Sequence, residues 1–188
     1  ANETLLQITL KMQQETADLQ LQNQRLKVEA ATDVLTGLAN RAALEKFIHE
    51  KFEDAISLGD PLSLLLIDVD FFKKINDNQG HQVGDQVLSS LGKLIKDSAR
   101  SADLAARYGG EEIMLVMPNT SKTTASAIAE SIRRAVTHKP FKTDAGPVPV
   151  TLSIGVATWE KNAPFKTCCH LVKAADLAVY AAKNAGRN

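Results

Sequence analysis

Apolar positions recur along this chain with more than one period, and each period predicts an element. From Glu3 to about Ala31 there is no proline or glycine, and Leu5, Met12, Leu19 and Leu26 stand seven apart, the spacing of one seam of a helical coiled coil. The companion seam, Ile8, Glu15, Gln22 and Glu29, has a single apolar member. A parallel dimer stalk and a helix lying on the flank of its own domain both fit that pattern, and both make the segment helical. From Arg41 to about Ile56, Leu44, Phe47, Ile48, Phe52 and Ile56 recur at three- and four-residue intervals, an amphipathic helix that stops near Gly59-Asp60-Pro61. The run Leu64-Leu65-Leu66-Ile67, inside Leu62 to Asp70, is apolar on both faces, as a central strand covered on both sides must be. A short helix follows it, then a longer one from about Val83 to Ala99 with Val87, Leu88, Leu91, Leu94 and Ile95 on one face.

Two strands, Leu104 to Tyr108 and Glu111 to Met117, are predicted on either side of Gly109-Gly110, read as a tight two-residue hairpin loop. A helix from about Ser121 to His138, a strand from Val148 to Trp159 and a helix from Lys166 to Asn184 complete the chain. The order β-α-α-β-β-α-β-α predicts an α/β sandwich of ferredoxin-like or polymerase-palm-like type: a central mixed, mainly antiparallel sheet flanked by helices and preceded by a long N-terminal helix. Thr32 to Arg41, with capping residues at Asp33 and Asn40 and a turn glycine at Gly37, divides residues 1–31, the helical segment, from residues 32–188, the globular domain.

Composition narrows the function. With 188 residues and 44% hydrophobic positions the chain can build a core. Lys plus Arg equals Asp plus Glu at 22 each, so no global basic field draws in a nucleic-acid backbone, and phosphate binding has to be local. The two cysteines are adjacent, Cys168 and Cys169; that spacing fits neither a disulfide framework, a zinc knuckle nor a redox pair, and they read as structural. A reducing, cytoplasmic setting is the expectation. No stretch reaches the ~20 apolar residues of a bilayer span. An upstream sensor or membrane segment is compatible with a sequence that begins inside a helical pattern.

Chemistry concentrates in two places. Asp68 and Asp70 are two apart at the end of the buried strand, so their carboxylates project on one face where a ligand can reach them. Glu111 and Glu112 follow the glycine pair on what should be a neighbouring strand. Successive residues point to opposite faces, so only one glutamate can join Asp68; Asp68 with Glu111 would give magnesium the one or two carboxylates it takes beside substrate phosphates. No G-x-x-x-x-G-K-S/T loop is present, which excludes the P-loop manner of holding a nucleotide.

Several segments in order carry a resemblance. Arg107-Tyr108-Gly109-Gly110-Glu111-Glu112-Ile113 resembles the motif that names the GGDEF family of diguanylate cyclases, with isoleucine where the named motif has phenylalanine. Asp33-Val34-Leu35-Thr36-Gly37-Leu38-Ala39-Asn40-Arg41 and Asp68-Val69-Asp70-Phe71-Phe72-Lys73-Lys74-Ile75-Asn76-Asp77 match two further family segments. Gly80-His81, Gly84-Asp85 and Lys183-Asn184-Ala185-Gly186-Arg187-Asn188 continue the match to the end of the chain.

The resemblance implies joining of two GTP molecules into cyclic di-GMP with release of two pyrophosphates, dependent on magnesium or, in its place, manganese. It assigns Asp68, the Val69 carbonyl and Glu111 to the metal, and Glu111, Glu112 or a water to proton transfer. Asn76 and Asp85 fall to the guanine edge, where an amide and a carboxylate match O6, N1 and N2 and reject adenine. Lys73, Lys183 and Arg187 fall to the phosphates, and His81, Phe71, Phe72, Gly109 and Gly110 line the nucleotide.

One guanine site per domain implies a homodimer with two GTP molecules antiparallel, which gives the N-terminal helix a purpose in holding two domains together. Arg100 and Asp103, placed five residues or more before the glycine pair, match an RxxD site that binds the product and inhibits. The rival readings are a member that binds GTP or cyclic di-GMP without catalysis, a coiled-coil scaffold, and a template-dependent polymerase, the last opposed by the charge balance.

Overall fold

A computed structural model describes residues 11–12, 14–22 and 30–188. The chain divides into two compact units, Ala1–Thr32 and Asp33–Asn188. In the first, residues 11–12 and 14–22 are helical, with Met12 and Leu19 exposed; Leu5, Ile8, Leu26 and Glu29 of the predicted seams lie outside the described residues.

In the second unit the elements are α1 (Arg41–Leu58), β1 (Leu62–Val69), α2 (Phe72–Gln79), α3 (His81–Ser98), β2 (Leu104–Gly109), β3 (Glu112–Pro118), α4 (Lys122–His138), β4 (Phe141–Thr143), β5 (Gly146–Val148), β6 (Leu152–Trp159) and α5 (Cys168–Asn184). The main sheet runs β2-β3-β1-β6 with every neighbour antiparallel, so the expected mixed sheet is in fact antiparallel throughout. Among the described residues the isolated parallel contact is a bridge between Ala39 and Ala106. The doubly apolar β1 lies inside the sheet, as its pattern requires. Leu65, Ile67 and Val69 face α3 and α4 together with Ile113, Leu115 and Met117. Leu64 and Leu66 face α1 and α5 together with Met114 and Val116. Burial of the apolar residues of β1 stabilises the sheet by about 2 kcal/mol for each large side chain removed from water.

The α5 helix lies unusually close to the sheet. A Cβ on Gly155 of β6 would stand 2.1 Å from the Ala175 carbonyl oxygen and 2.6 Å from the Val179 amide, so only glycine lets the helix backbone settle there. That seat fixes where the last turn of α5, with Lys183, arrives. The last strand starts at Leu152 rather than Val148. The residues before it form a separate two-stranded hairpin, β4-β5, which Gly146 turns at φ 100°.

The segment leading into the domain is tightly bonded. Asp33 accepts from the Thr36 amide at 2.8 Å and the Thr36 hydroxyl at 2.7 Å, and Asn40 caps α1 by accepting from the Ala43 amide at 3.0 Å. Backbone bonds from Ala39 N to Ala105 O and from Arg107 N to Ala39 O stitch this segment to β2. No helix among the described residues is long and apolar enough to cross a membrane.

Candidate functional site

Strand register decides which carboxylates meet. Asp68 is paired directly with Glu112 across β1 and β3. Both lie two residues beyond Leu66 and Met114, so they share the α1/α5 face of the sheet. Glu112 therefore stands directly opposite Asp68, and Glu111, which the resemblance assigns to the metal, lies one residue further, in the turn. The turn is shaped by an irregularity in β2 between Arg107 and Gly109, after which Gly109 pairs with Glu112. The extra residue, Tyr108, moves Gly109 into the strand and leaves Gly110 and Glu111 as the turn. Neither Gly109 nor Gly110 has positive φ, so this turn does not need glycine in the way the hairpin prediction supposed. Ile113 is buried on the α3/α4 face, which makes the replacement of phenylalanine a matter of packing.

Asp68 is 4% exposed and accepts from the Lys183 ammonium at 2.7 Å. Burial pushes its carboxyl above the usual carboxylate range, with Lys183 only partly offsetting this and Asp70 adding to it. Burial and then the charge on Asp68 likewise hold the Glu112 carboxyl high, against Lys183. Two neighbouring acids withdrawn from water, with one lysine in contact with Asp68, are short of positive charge. A hard divalent cation that takes one or two carboxylates and completes its shell with phosphates suits this donor set. Among the described residues no three His, Cys, Asp or Glu side chains gather into a closed metal cage.

Asp70, read from sequence as a second accessible acid, has a different role. It lies beyond the strand, is 4% exposed, and accepts from the Ser153 hydroxyl at 2.6 Å, the Thr151 hydroxyl at 2.8 Å and the Asn188 amide at 3.2 Å. It ties the end of β1 to the start of β6 and to the residues after α5. Next to it Phe71 sits in the left-handed region at φ 56° with its ring half exposed, a strained conformation of the kind found at ligand sites. The Lys74 ammonium and the Arg187 guanidinium lie 4.6 and 4.5 Å from that ring's centroid. Lys74 was not singled out from sequence; only its ring contact distinguishes it from its exposed neighbour Lys73.

Between α2 and α3 the structure leaves one buried acceptor unmatched: Asn76 Oδ1 has no hydrogen-bond partner. It packs on Gly84, where a Cβ would stand 1.9 Å from it. His81 and Asp85 are exposed in the first turns of α3 beside this point. A buried amide oxygen left unpaired costs roughly 1–3 kcal/mol, which marks this cleft as a place where a ligand's donor is expected.

On the other side of Glu112 a cavity of about 670 Å³ opens between α1 and α5, lined in part by Arg41, Tyr108, Cys168, Cys169 and Asp176. Both cysteines are free. The RxxD pair is closed on itself: Arg100 donates to Asp103 through Nε at 3.1 Å and Nη2 at 2.8 Å, and also to the Thr120 hydroxyl at 2.6 Å. The Asp103 side chain is 2% exposed beneath it.

A family profile described as diguanylate cyclase, GGDEF domain, matches residues 30–188. The chain belongs to the GGDEF family. Diguanylate cyclase A of Treponema denticola is 40% identical over 175 residues, covering 92% of this chain and 47% of that protein. The response regulator PleD of Caulobacter vibrioides is 44% identical over 161 residues, covering 85% of this chain and 35% of that protein. The chain thus spans about half or less of these relatives. Among solved structures, the coiled coil and GGDEF domain of DgcB from Caulobacter crescentus, in complex with c-di-GMP, superposes with a TM-score of 0.87 at 30% identity, covering 97% of this chain and 96% of that one. The active GGEEF domain of a diguanylate cyclase from Vibrio cholerae superposes with a TM-score of 0.74 at 35% identity, covering 80% and 94%. The GGDEF fold of this chain therefore presents its signature turn, with Glu112, against Asp68 and Lys183.

Proposed function

We propose that this GGDEF domain is a diguanylate cyclase that condenses two GTP molecules into cyclic di-GMP across a homodimer. The observation that carries the reading is the meeting of Asp68, Glu112 and Lys183 at one end of the sheet, with the unpaired Asn76 Oδ1 in the adjoining helical cleft. Asn76 and Asp85 read the guanine edge: the amide oxygen accepts from the base, and the carboxylate takes its N1 and N2 donors. Lys74 and Arg187, both at the Phe71 ring, together with Lys73 hold the triphosphate by charge-assisted hydrogen bonds. His81, Phe72, Gly109 and Gly110 complete the nucleotide's surroundings.

Asp68, the Val69 carbonyl and Glu112 are the residues that would hold Mg²⁺, or Mn²⁺ in its place. Such an ion would supply Lewis-acid chemistry, lowering the pKa of a 3′-hydroxyl and offsetting negative charge on the phosphates. With Glu112 so engaged, Glu111 in the turn is the residue that accepts the 3′-hydroxyl proton. One guanine site per domain means that the acceptor hydroxyl of one GTP comes from the partner domain, so two copies meet with a twofold axis between their turns. The helical segment before the domain would raise the effective concentration of the pair and link it to an upstream sensor. Arg100 and Asp103 form the product-binding, inhibitory site, and the product has to open their mutual ion pair to use them.

The test is incubation of the purified chain with GTP and magnesium over a range of protein concentrations, with nucleotides resolved by chromatography. Cyclic di-GMP formed with a rate rising faster than linearly in protein, and lost in Glu112→Gln, is the expected result. GTP binding with no product at any concentration would refute catalysis and leave a nucleotide-binding signalling module.

A further inference from the structure

We propose that Lys183 is an internal counter-cation for Asp68 which a divalent ion has to displace, so that the metal and the nucleotide's phosphates bind as a coupled pair. The inference rests on Asp68 being a metal ligand. Its geometry is the 2.7 Å contact between the Lys183 ammonium and Asp68 Oδ2, one of the two oxygens with which that nearly buried carboxylate could meet a metal ion. The contact is built into the fold. The close approach of α5 to Gly155 fixes the helix over the sheet, and Lys183 lies two turns beyond Ala175, in the last turn of that helix.

Two cations cannot both take the same carboxylate oxygen in full. A buried carboxylate stripped of its partner without replacement is strongly disfavoured, so ammonium and metal exchange rather than add. Lysine is suited to such an exchange, because a point charge on a flexible four-carbon stem can turn from one anion to another. Its side chain is a third exposed. The second anion is close by: Arg187, four residues on, sits with Lys74 at the Phe71 ring, the place assigned above to the triphosphate. Metal alone has to displace the ammonium into water. Metal arriving with a triphosphate gives the ammonium a new partner, so each ligand tightens the other, and by linkage the coupling is reciprocal.

The experiment measures Mn²⁺ binding without nucleotide, from loss of the free-ion electron paramagnetic resonance signal, for the parent chain, Lys183→Met and Lys183→Arg. Thermal melting in chelator and in Mn²⁺ is followed alongside. Lys183→Met should bind Mn²⁺ about tenfold more tightly than the parent, the size expected for removing one competing charge-assisted contact. It should melt lower than the parent in chelator and recover in Mn²⁺. Lys183→Arg, which keeps a cation on Asp68, should stay near the parent. Equal or weaker Mn²⁺ binding by Lys183→Met, with circular dichroism unchanged, would overturn the inference, since ammonium and metal would then share the carboxylate. A parent chain that binds no Mn²⁺ even when mixed with GTP would remove the metal reading of Asp68, and this inference with it.

Discussion

Replacing Gly84 with alanine separates nucleotide recognition from folding. The added Cβ would stand 1.9 Å from Asn76 Oδ1, 3.0 Å from Asn76 Cγ and 3.1 Å from Phe72 Cζ. The severe clash is with the end of a side chain, so the inexpensive response is for the Asn76 amide to swing out of the cleft while Phe72 gives by a few tenths of an ångström. Two further effects offset that adjustment. Alanine gains about 1 kcal/mol over glycine inside a helix, and the swing returns an unmatched amide oxygen to water, relieving roughly 1–3 kcal/mol. Stability should therefore change by no more than about 1 kcal/mol in either direction. Guanine recognition should not survive. Losing the hydrogen bond of a buried amide to the base costs about 1.5–3 kcal/mol, or roughly 10- to 100-fold in affinity. The assay is isothermal titration of GTP and of ATP into parent and Gly84→Ala chains, with melting curves run in parallel. GTP affinity unchanged by the substitution, or GTP and ATP weakened equally, would refute the assignment of Asn76 as the reader of the base.

Three other outcomes follow from the same structure. Gly155→Ala should destabilise by about 3 kcal/mol, because its Cβ meets helix backbone rather than a movable side chain; urea unfolding measures this, and a loss under about 1 kcal/mol would contradict the close seating of α5. Glu112→Gln should abolish Mn²⁺ binding together with activity, whereas Glu111→Gln should keep the ion and lose about 10²- to 10⁴-fold in turnover; the reverse pattern would restore Glu111 as the metal ligand. Asp33 is pushed up by burial, but its bonds from Thr36 and the charge and hydrogen bond of Arg107 outweigh this and hold its pKa below the ordinary 3.8. Its stabilising contribution is thus present above that value and is lost as pH falls through the lowered one. Asp33→Asn should accordingly melt lower near neutrality and show a shallower fall in melting temperature on acidification; parallel acid limbs would show that the Asp33 pair does not titrate with folding.

The parts that were legible in the sequence are those written in local pattern. A strand apolar on both faces had to be central, and β1 is; helices with three- and four-residue spacing are all present, and the motif segments converge on one end of the sheet. What stayed hidden depends on partners distant in the chain or on a single inserted residue. Nothing local distinguishes Glu111 from Glu112, because which of them stands opposite Asp68 is set by the register of β3 on β1, more than 40 residues away in the chain. Asp70 looked like a ligand because Ser153 and Thr151, more than 80 residues away, are what satisfy it. The β4-β5 hairpin has strands of three residues, too short to show an alternation. Lys183 could be read as a surface cation until the seat of α5 on Gly155 brought it to Asp68.

Arg107 has a mechanical meaning as well as a chemical one. Its guanidinium holds Asp33 through Nη1 at 3.2 Å and the Gly110 carbonyl through Nη2 at 2.9 Å, while its own amide is bonded to Ala39. The first turn of the domain and the turn that presents Glu111 and Glu112 are thus the two arms of one stiff lever, with a six-residue strand as its beam. A push or twist delivered at Asp33 is not absorbed by slack chain. It would arrive at the signature turn as displacement, so in the proposed cyclase a regulator would act by force alone, without ever touching the nucleotide.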